Sequence, residues 1–210
     1  MFDLDGVLID SESAWASVRE ELTRESGGEW HQGAQEEMMG MSSREWSRHM
    51  HERLRVPMEP DEISAAVVAR LARRFRDQVP LLPHAVEAVR AAADRWPLAV
   101  ASSSNRPLIE LVLELTRMAP LFRATVSSEE VPHGKPAPDV YVEAARRLRI
   151  PPRRCAAVED STNGIRSAKE AGMRVVAVPR PDFPPSAEAL RDADSVLSSL
   201  GELAAALAES

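Results

Sequence analysis

Two aspartates, Asp3 and Asp5, sit two residues apart inside MFDLDGVLID, and Gly6 follows at once. Apolar residues flank them: Met1, Phe2 and Leu4 on and around one side, Val7, Leu8 and Ile9 on the other. If residues 1–4 form a strand, alternation sends both aspartates to the same side. At the C-terminal end of that strand they meet one ligand, which is where parallel α/β sheets bind substrates. Gly6 lets the backbone turn sharply just beyond. Two carboxylates in one site suit a nucleophile beside an acid/base, or a hard cation with oxygen ligands. A turn rich in Asp and Gly, with no chemistry, is the alternative.

Three further polar groups fall at the ends of apolar runs or in rigid loops. Ser102 ends the run Leu98-Ala99-Val100-Ala101 and can donate a hydroxyl hydrogen bond to an anion. Ser103 and Ser104 follow where the chain turns, so their backbone N–H groups can assist, although Ser104 and Asn105 read better as helix caps. Lys135, one of two lysines in a chain otherwise rich in arginine, sits in the loop HGKPAPD and suits a compact charge aimed at a phosphoryl oxygen. An exposed loop lysine is the competing reading. Glu159 and Asp160 end the run Cys155-Ala156-Ala157-Val158 and form a natural hard-cation pair, or else a solvated acidic turn. His133 reads as a loop residue and Lys169 as a surface charge. Cys155 reads as core.

The elements that must position these groups alternate. A helical run over 85–95 precedes the Leu98 strand. Helices to about 117 and 148 follow, with Ala124-Thr125-Val126 as a strand between them. Asp139 is the expected cap of the second. A helix to Ala171 follows the Cys155 strand, then strands at 174–178 and 195–197 and a helix to Ala208. Such alternation implies a parallel, doubly wound sheet whose strand ends share one edge. From about residue 13 to 78 the pattern is helical throughout. Trp15, Val18 and Leu22 make one stripe, Trp46, Met50 and Leu54 a second, and Ile63, Val67, Leu71 and Phe75 a third. Met38, Met39 and Met41 lie between stripes, around Gly40. The tryptophans and methionines read as the core of a helical insertion rather than a cofactor box.

The 210 residues fit one large domain, or a core with one smaller insertion. A net charge of −7 argues against a nucleic-acid partner held by phosphate contacts. It still permits a phosphorylated small molecule, since a metal can neutralise the local field. The single cysteine cannot form an internal disulfide, which suits a cytoplasmic protein. No signal peptide and no apolar run long enough for a membrane is read, and the mixed-charge surface suggests a monomer. The first strand is so short that the N-terminus reads as clipped.

DLDGV at Asp3, the strand ending in Ser102, GKP at Lys135 and VEDS at Glu159/Asp160, in this order, resemble the four motifs of the haloacid dehalogenase-like hydrolase superfamily. DSE at 10–12, KPAPDVY and NGIRSAKEAGM add to the match, which covers essentially the whole chain. The resemblance implies a Rossmann-like α/β core, 1–12 and 79–210, with a small helical cap at 13–78. That cap looks like the one in the β-phosphoglucomutase and phosphoglycolate phosphatase branch. It further implies a phosphatase in which Asp3 attacks phosphorus to give an aspartyl-phosphate. Asp5 protonates the leaving oxygen and then activates water, so it must be protonated when substrate binds. Mg²⁺ would be held by Asp3, the backbone carbonyl of Asp5, Asp160, and Glu159 directly or through water. Ser102 and Lys135 would grip the phosphoryl group. Glu12, Trp15, Met41, Ser42 and Arg44 are the substrate-facing candidates of the cap, with Ser103 on the core side. Arg44 either binds a second anionic or polyhydroxyl part of the substrate or is a solvated helix residue.

Rivals are weighed on the same residues. A haloacid dehalogenase lacks the second aspartate, and a phosphonoacetaldehyde hydrolase needs a cap lysine that 13–78 does not contain. β-Phosphoglucomutases carry a histidine on the first cap helix where this chain has Trp15, so hydrolysis is favoured over a mutase. A catalytically silent binding module on the same fold is the reading from another class. Sugar phosphates, polyol phosphates and phosphoglycolate all stand as substrates.

Overall fold

The computed structural model describes residues 1–39 and 41–208; Gly40, which the methionines flank, lies outside the described residues. After the acidic start, four helices come in succession: α1 (Glu12–Glu25), α2 (Ala34–Met38), α3 (Ser43–Glu52) and α4 (Pro60–Asp77). Their boundaries follow local chemistry. Gly27, with φ +80°, takes the left-handed turn that stops α1. Ser42 and Glu45 form a reciprocal capping box at the start of α3, and Pro60 occupies the first turn of α4.

The remainder alternates as expected. Helices α5 (Ala85–Ala93), α6 (Arg106–Leu115), α7 (Asp139–Leu148), α8 (Thr162–Glu170), α9 (Ala187–Asp192) and α10 (Leu203–Ala208) separate β1 (Leu98–Ser102), β2 (Phe122–Ser127), β3 (Ala156–Glu159), β4 (Arg174–Ala177) and β5 (Ser195–Val196). β1 pairs with β2, β3 with β4, and β4 with β5, all in parallel. The first residues join the two halves. The Phe2 N–H donates to the Ala99 carbonyl at 2.9 Å, and the Asp3 N–H donates to the Val158 carbonyl at 3.1 Å. The expected first strand is thus a short central bridge between β1 and β3, parallel to both. Its position puts Asp3 and Asp5 at the middle of the sheet edge.

Side-chain alternation sorts the core into two layers. Phe2, Val100, Val158 and Val176 face one side, where they join α5, α6, α10 and the apolar stripes of α1, α3 and α4. Ala99, Ala101, Ala157, Val175 and Ala177 face the other, toward α7, α8 and α9. The alanine-rich face leaves little between sheet and helices, which lets those helices approach closely. Trp15, Met38, Trp46 and Met50 are all buried, as read from the sequence. A polar clasp also links the inserted helices to the sheet edge. Glu129, on the turn after β2, accepts from the Ser43 hydroxyl of α3 at 3.0 Å and from Asn105 Nδ2 at 2.7 Å. Asn105 Nδ2 also donates to the Ser64 hydroxyl of α4 at 3.3 Å.

Some expectations are corrected. Cys155 precedes β3 and is half-buried, at the margin of the core rather than within it. Asp139 is the first residue of α7, after Pro138 at the cap, and its carboxylate instead accepts from the His133 N–H at 3.3 Å. α2 and α9, five and six residues long, carry too few residues for a periodic pattern to be read.

Gly164 in the first turn of α8 supports a prediction against ordinary helix propensity. A Cβ there would lie 1.9 Å from Glu159 Oε2, and Glu159 is wholly buried. Gly→Ala in a helix interior normally stabilises by about 1 kcal/mol. Here it must displace a buried, paired carboxylate, a disruption worth roughly 3–5 kcal/mol. Gly164→Ala should therefore destabilise by about 2–4 kcal/mol net, read from urea unfolding; a stabilised variant would contradict the packing described.

Candidate active site

The central bridge delivers Asp3 to the sheet edge in a nearly closed setting, 7% exposed. Gly6 has φ +75°, and a Cβ on it would lie 1.9 Å from Asp160 Oδ2. A glycine is needed there for both the turn and the close approach. β3 brings Glu159 and Asp160 alongside, 0% and 8% exposed. Carboxylate oxygens of Asp3, Glu159 and Asp160 lie within 4.8 Å of one another.

Lys135 from the GKP loop answers this negative charge. Its Nζ donates to Glu159 Oε1 at 2.6 Å and lies 3.1 Å from Asp3 Oδ1. Tyr141 of α7 adds a hydroxyl donor to Glu159 Oε1 at 2.7 Å. Burial alone would lower the Lys135 ammonium, but Asp3 and Glu159 outweigh it and hold the group above its usual range. Burial pushes Asp3 up to about 7, opposed by Lys135 and reinforced by Glu159. Asp160 is also pushed well up by burial, with Glu159 and Asp3 adding to the effect.

Asp5 is held differently. Oδ1 accepts from the Ser11 hydroxyl in a short contact and from Trp15 Nε1 at 3.1 Å, and Oδ2 accepts from the Ser104 hydroxyl at 2.6 Å. A hydroxyl can donate to a carboxylate or accept from a carboxylic acid, so Ser11 and Ser104 accommodate either protonation state.

A cavity of about 290 Å³ lies between this edge and the inserted helices. The core contributes Asp3, Asp5, Ser103, Ser104, Lys135 and Asp160. Glu12, Trp15, Arg19 and Trp46 line the helical side together with Met38, Met39 and Met41. Phe183, Pro184 and Pro185 close a further side. The cavity thus gathers Asp3, Asp5, Ser103, Lys135, Asp160, Glu12, Trp15 and Met41 as expected.

Other expected residues stand elsewhere. Ser102 is fully buried beneath the turn, where its Oγ accepts from the Ser104 N–H at 3.0 Å. Ser104, expected to be a cap, instead reaches Asp5. Ser42 is occupied in the capping box of α3. Arg44 is exposed, because α3 turns Ser43, Trp46, Ser47 and Met50 inward and leaves Arg44 on the outer face. Arg44 is not among the residues that line the cavity. Arg19, unanticipated, is the arginine at the cavity. Its signal was an arginine on the inward stripe Trp15-Val18-Arg19-Leu22, where an apolar residue is the norm.

The residues fit a divalent cation. Asp160 Oδ1 is buried without a hydrogen-bond partner, and Asp3 Oδ1, equally buried, has the Lys135 ammonium 3.1 Å away as an ion-pair partner. An all-oxygen, carboxylate-rich donor set is that of a hard ion. Glu159 is already engaged at both oxygens: Oε1 by Lys135 and Tyr141, and Oε2 by the Asp160 N–H and the Ser161 hydroxyl.

Residues 1–172 match the family model of haloacid dehalogenase-like hydrolases. The chain is similar to the "Probable pseudouridine-5'-phosphatase" of Drosophila melanogaster, 34% identical over 209 residues that span 96% of this chain and 89% of that protein. It is similar to hexitol phosphatase B of Escherichia coli, 33% identical over 222 residues, 98% of this chain and 93% of that protein. The fold superposes on the crystal structure of CbbY from Rhodobacter sphaeroides in complex with phosphate with a TM-score of 0.86 at 27% identity, covering 96% of this chain and 94% of that one. The family match runs from the paired aspartates through Asp160 to the end of α8, and the chain belongs to the haloacid dehalogenase-like hydrolase family.

Proposed function

We propose that this chain is a Mg²⁺-dependent phosphatase of small phosphate monoesters, such as sugar or polyol phosphates or phosphoglycolate. The observation that carries the reading is that Asp3 and Asp5 face one cavity from the centre of the sheet edge in contrasting settings. Asp3 sits beside a fixed ammonium, and Asp5 sits among three hydrogen-bonding side chains. A carboxylate oxygen of Asp3 attacks phosphorus as the bond to the leaving oxygen breaks, and the Asp5 carboxylic acid gives that oxygen its proton. Asp5, now a carboxylate, takes a proton from water as the water attacks phosphorus and the Asp3–phosphorus bond breaks. Asp3 is released and Asp5 is again protonated.

Lys135 and the turn at Ser103, which Ser102 supports from beneath, offset charge on the phosphoryl oxygens, which is most of the catalysis in such transfers. Asp3, Asp160 and the Asp5 carbonyl would hold Mg²⁺, which supplies further charge neutralisation there. Glu159 supports the cation through Lys135 and Asp160. Residues 13–78 act as the cap that excludes water and selects substrate. Trp15, donating to Asp5 where a mutase carries histidine, together with the lack of lysine in 13–78, favours water as the phosphoryl acceptor.

Asp3→Asn should retain less than about a tenth of wild-type kcat, because the amide cannot attack phosphorus. The same variant tests the electrostatics. In metal-free protein the Asp3 pKa of about 7 exceeds the ordinary 3.8, so the folded state holds this proton longer than the unfolded state. This aspartate therefore lowers stability progressively as pH rises between those values. Urea midpoints in EDTA should show Asp3→Asn gaining on wild type from pH 5 to pH 8, and parallel curves would refute the burial effect.

Phosphate release from p-nitrophenyl phosphate should need added Mg²⁺, stop in EDTA, and require more Mg²⁺ in Asp160→Ala. Full activity after dialysis against EDTA rules out the metal reading. Given β-glucose 1-phosphate, a trace of the bisphosphate and Mg²⁺, free phosphate should form faster than glucose 6-phosphate. The reverse order would establish a mutase.

A further inference from the structure

Arg19 is the cation of this cavity that the proposed chemistry leaves unused. It is 4% exposed on the inward face of α1, one turn beyond Trp15. The guanidinium lies over two indoles, with Cζ 4.6 Å from the Trp15 ring centroid and 4.8 Å from that of Trp46. Nη1 donates to Gln35 Oε1 at 3.1 Å, whereas Nε is buried without a hydrogen-bond partner. Gln35 Nε2 in turn donates to Glu12 Oε2 at 3.0 Å, so the nearby carboxylate is reached only through the amide. A buried guanidinium with no direct carboxylate carries an unmet desolvation cost. Stacking on both indoles offsets part of it and fixes the plane of the fork. The remaining donor capacity therefore stays available to whatever fills the cavity.

Glu12 lines the same wall, half-buried, and offers acceptor oxygens. The wall thus presents a fixed donor and a fixed acceptor, spaced by Gln35. A leaving group that both donates and accepts satisfies the two together. A second phosphate would face Glu12 and Asp5 with Arg19 as its remaining support, since Lys135 is assigned to the transferred phosphoryl group and paired with Asp3 and Glu159.

We infer that Arg19 and Glu12, held in register by Gln35, select monophosphates whose leaving group is uncharged and carries adjacent hydroxyls, or a hydroxyl beside a carbonyl. This rests on the phosphatase reading of the same cavity and specifies its substrate class.

The test compares kcat/KM, with Mg²⁺ present, for glycerol, erythritol and glucitol monophosphates, n-hexyl phosphate, p-nitrophenyl phosphate and fructose 1,6-bisphosphate. Wild type should prefer at least one hydroxylated monophosphate to both n-hexyl phosphate and the bisphosphate. Arg19→Met, of similar length, should cut that preference over n-hexyl phosphate by about tenfold to a hundredfold, as expected for losing a hydrogen bond to a charged group. The loss should fall mainly on KM. Glu12→Gln should cut the same preference and improve relative turnover of the bisphosphate, and it keeps the test alive if Arg19→Met does not fold. A wild-type preference for the bisphosphate or for n-hexyl phosphate overturns the inference, as does an unchanged preference in the folded variants. Failure of wild type to release phosphate even from p-nitrophenyl phosphate would instead strike the phosphatase reading itself.

Discussion

One buried ammonium makes the acidic edge of this sheet possible. Asp3, Glu159 and Asp160 are all nearly inaccessible and carry oxygens within 4.8 Å of one another, and Lys135 opposes the upward push that burial and mutual repulsion exert on Asp3 and Asp160. Lys135 Nζ sits between Asp3 and Glu159, and its own side chain is 3% exposed. Much of the local architecture follows from keeping it there. Tyr141 satisfies the same Glu159 oxygen, Ser161 and the Asp160 N–H hold the other, and Gly164 leaves the space that the carboxylate occupies. The placement leaves Asp160 Oδ1 buried without a hydrogen-bond partner, while Asp3 Oδ1 keeps the Lys135 ammonium 3.1 Å away.

The opposite wall works by another principle. Charges in the sheet edge are fixed by neighbours on β3, α7 and the GKP loop, whereas Glu12, Trp15 and Arg19 project from a single helix. Their spacing along α1 puts them on one inward face. Trp15 crosses between the two walls, since its indole packs edge-on to Trp46 at 5.8 Å and donates to Asp5. The placement of α1 is therefore felt directly at the carboxyl assigned to proton transfer.

The sheet was legible because apolar runs end in polar residues at the Asp3 bridge, β1 and β3, and Asp3, Asp5 and Asp160 fall at those ends, while Lys135 stands in the loop between β2 and α7. Residues chosen by helix packing were harder to read. Arg44 and Arg19 are both arginines on amphipathic helices. What separates them is the face each takes: Arg19 shares the inward stripe of Trp15, Val18 and Leu22, whereas Arg44 lies off the inward face formed by Ser43, Trp46, Ser47 and Met50. Ser104 reads as a cap because serine before a helix usually is one; its reach to Asp5 depends on a partner 99 positions away. Phe183 to Pro185 carry no chemical signature, and only the return of the chain after β4 brings them to the cavity.

The clasp at Glu129 bears on how a reactant gets in. Ser43 and Asn105 tie the inserted helices to the edge through hydrogen bonds that water can replace, each with a net worth of about 1–3 kcal/mol, the upper end for those to the Glu129 carboxylate. Parting that seam therefore costs little compared with dismantling the apolar contact of α4 with α6 nearby. Rocking that breaks the polar seam first would admit and release small molecules on the microsecond-to-millisecond scale of such motions. The buried cluster around Lys135 makes its bonds within the core and need not rearrange for this, whereas Asp5, bonded to Trp15 of α1, is the one carboxyl of the edge that such a movement reaches.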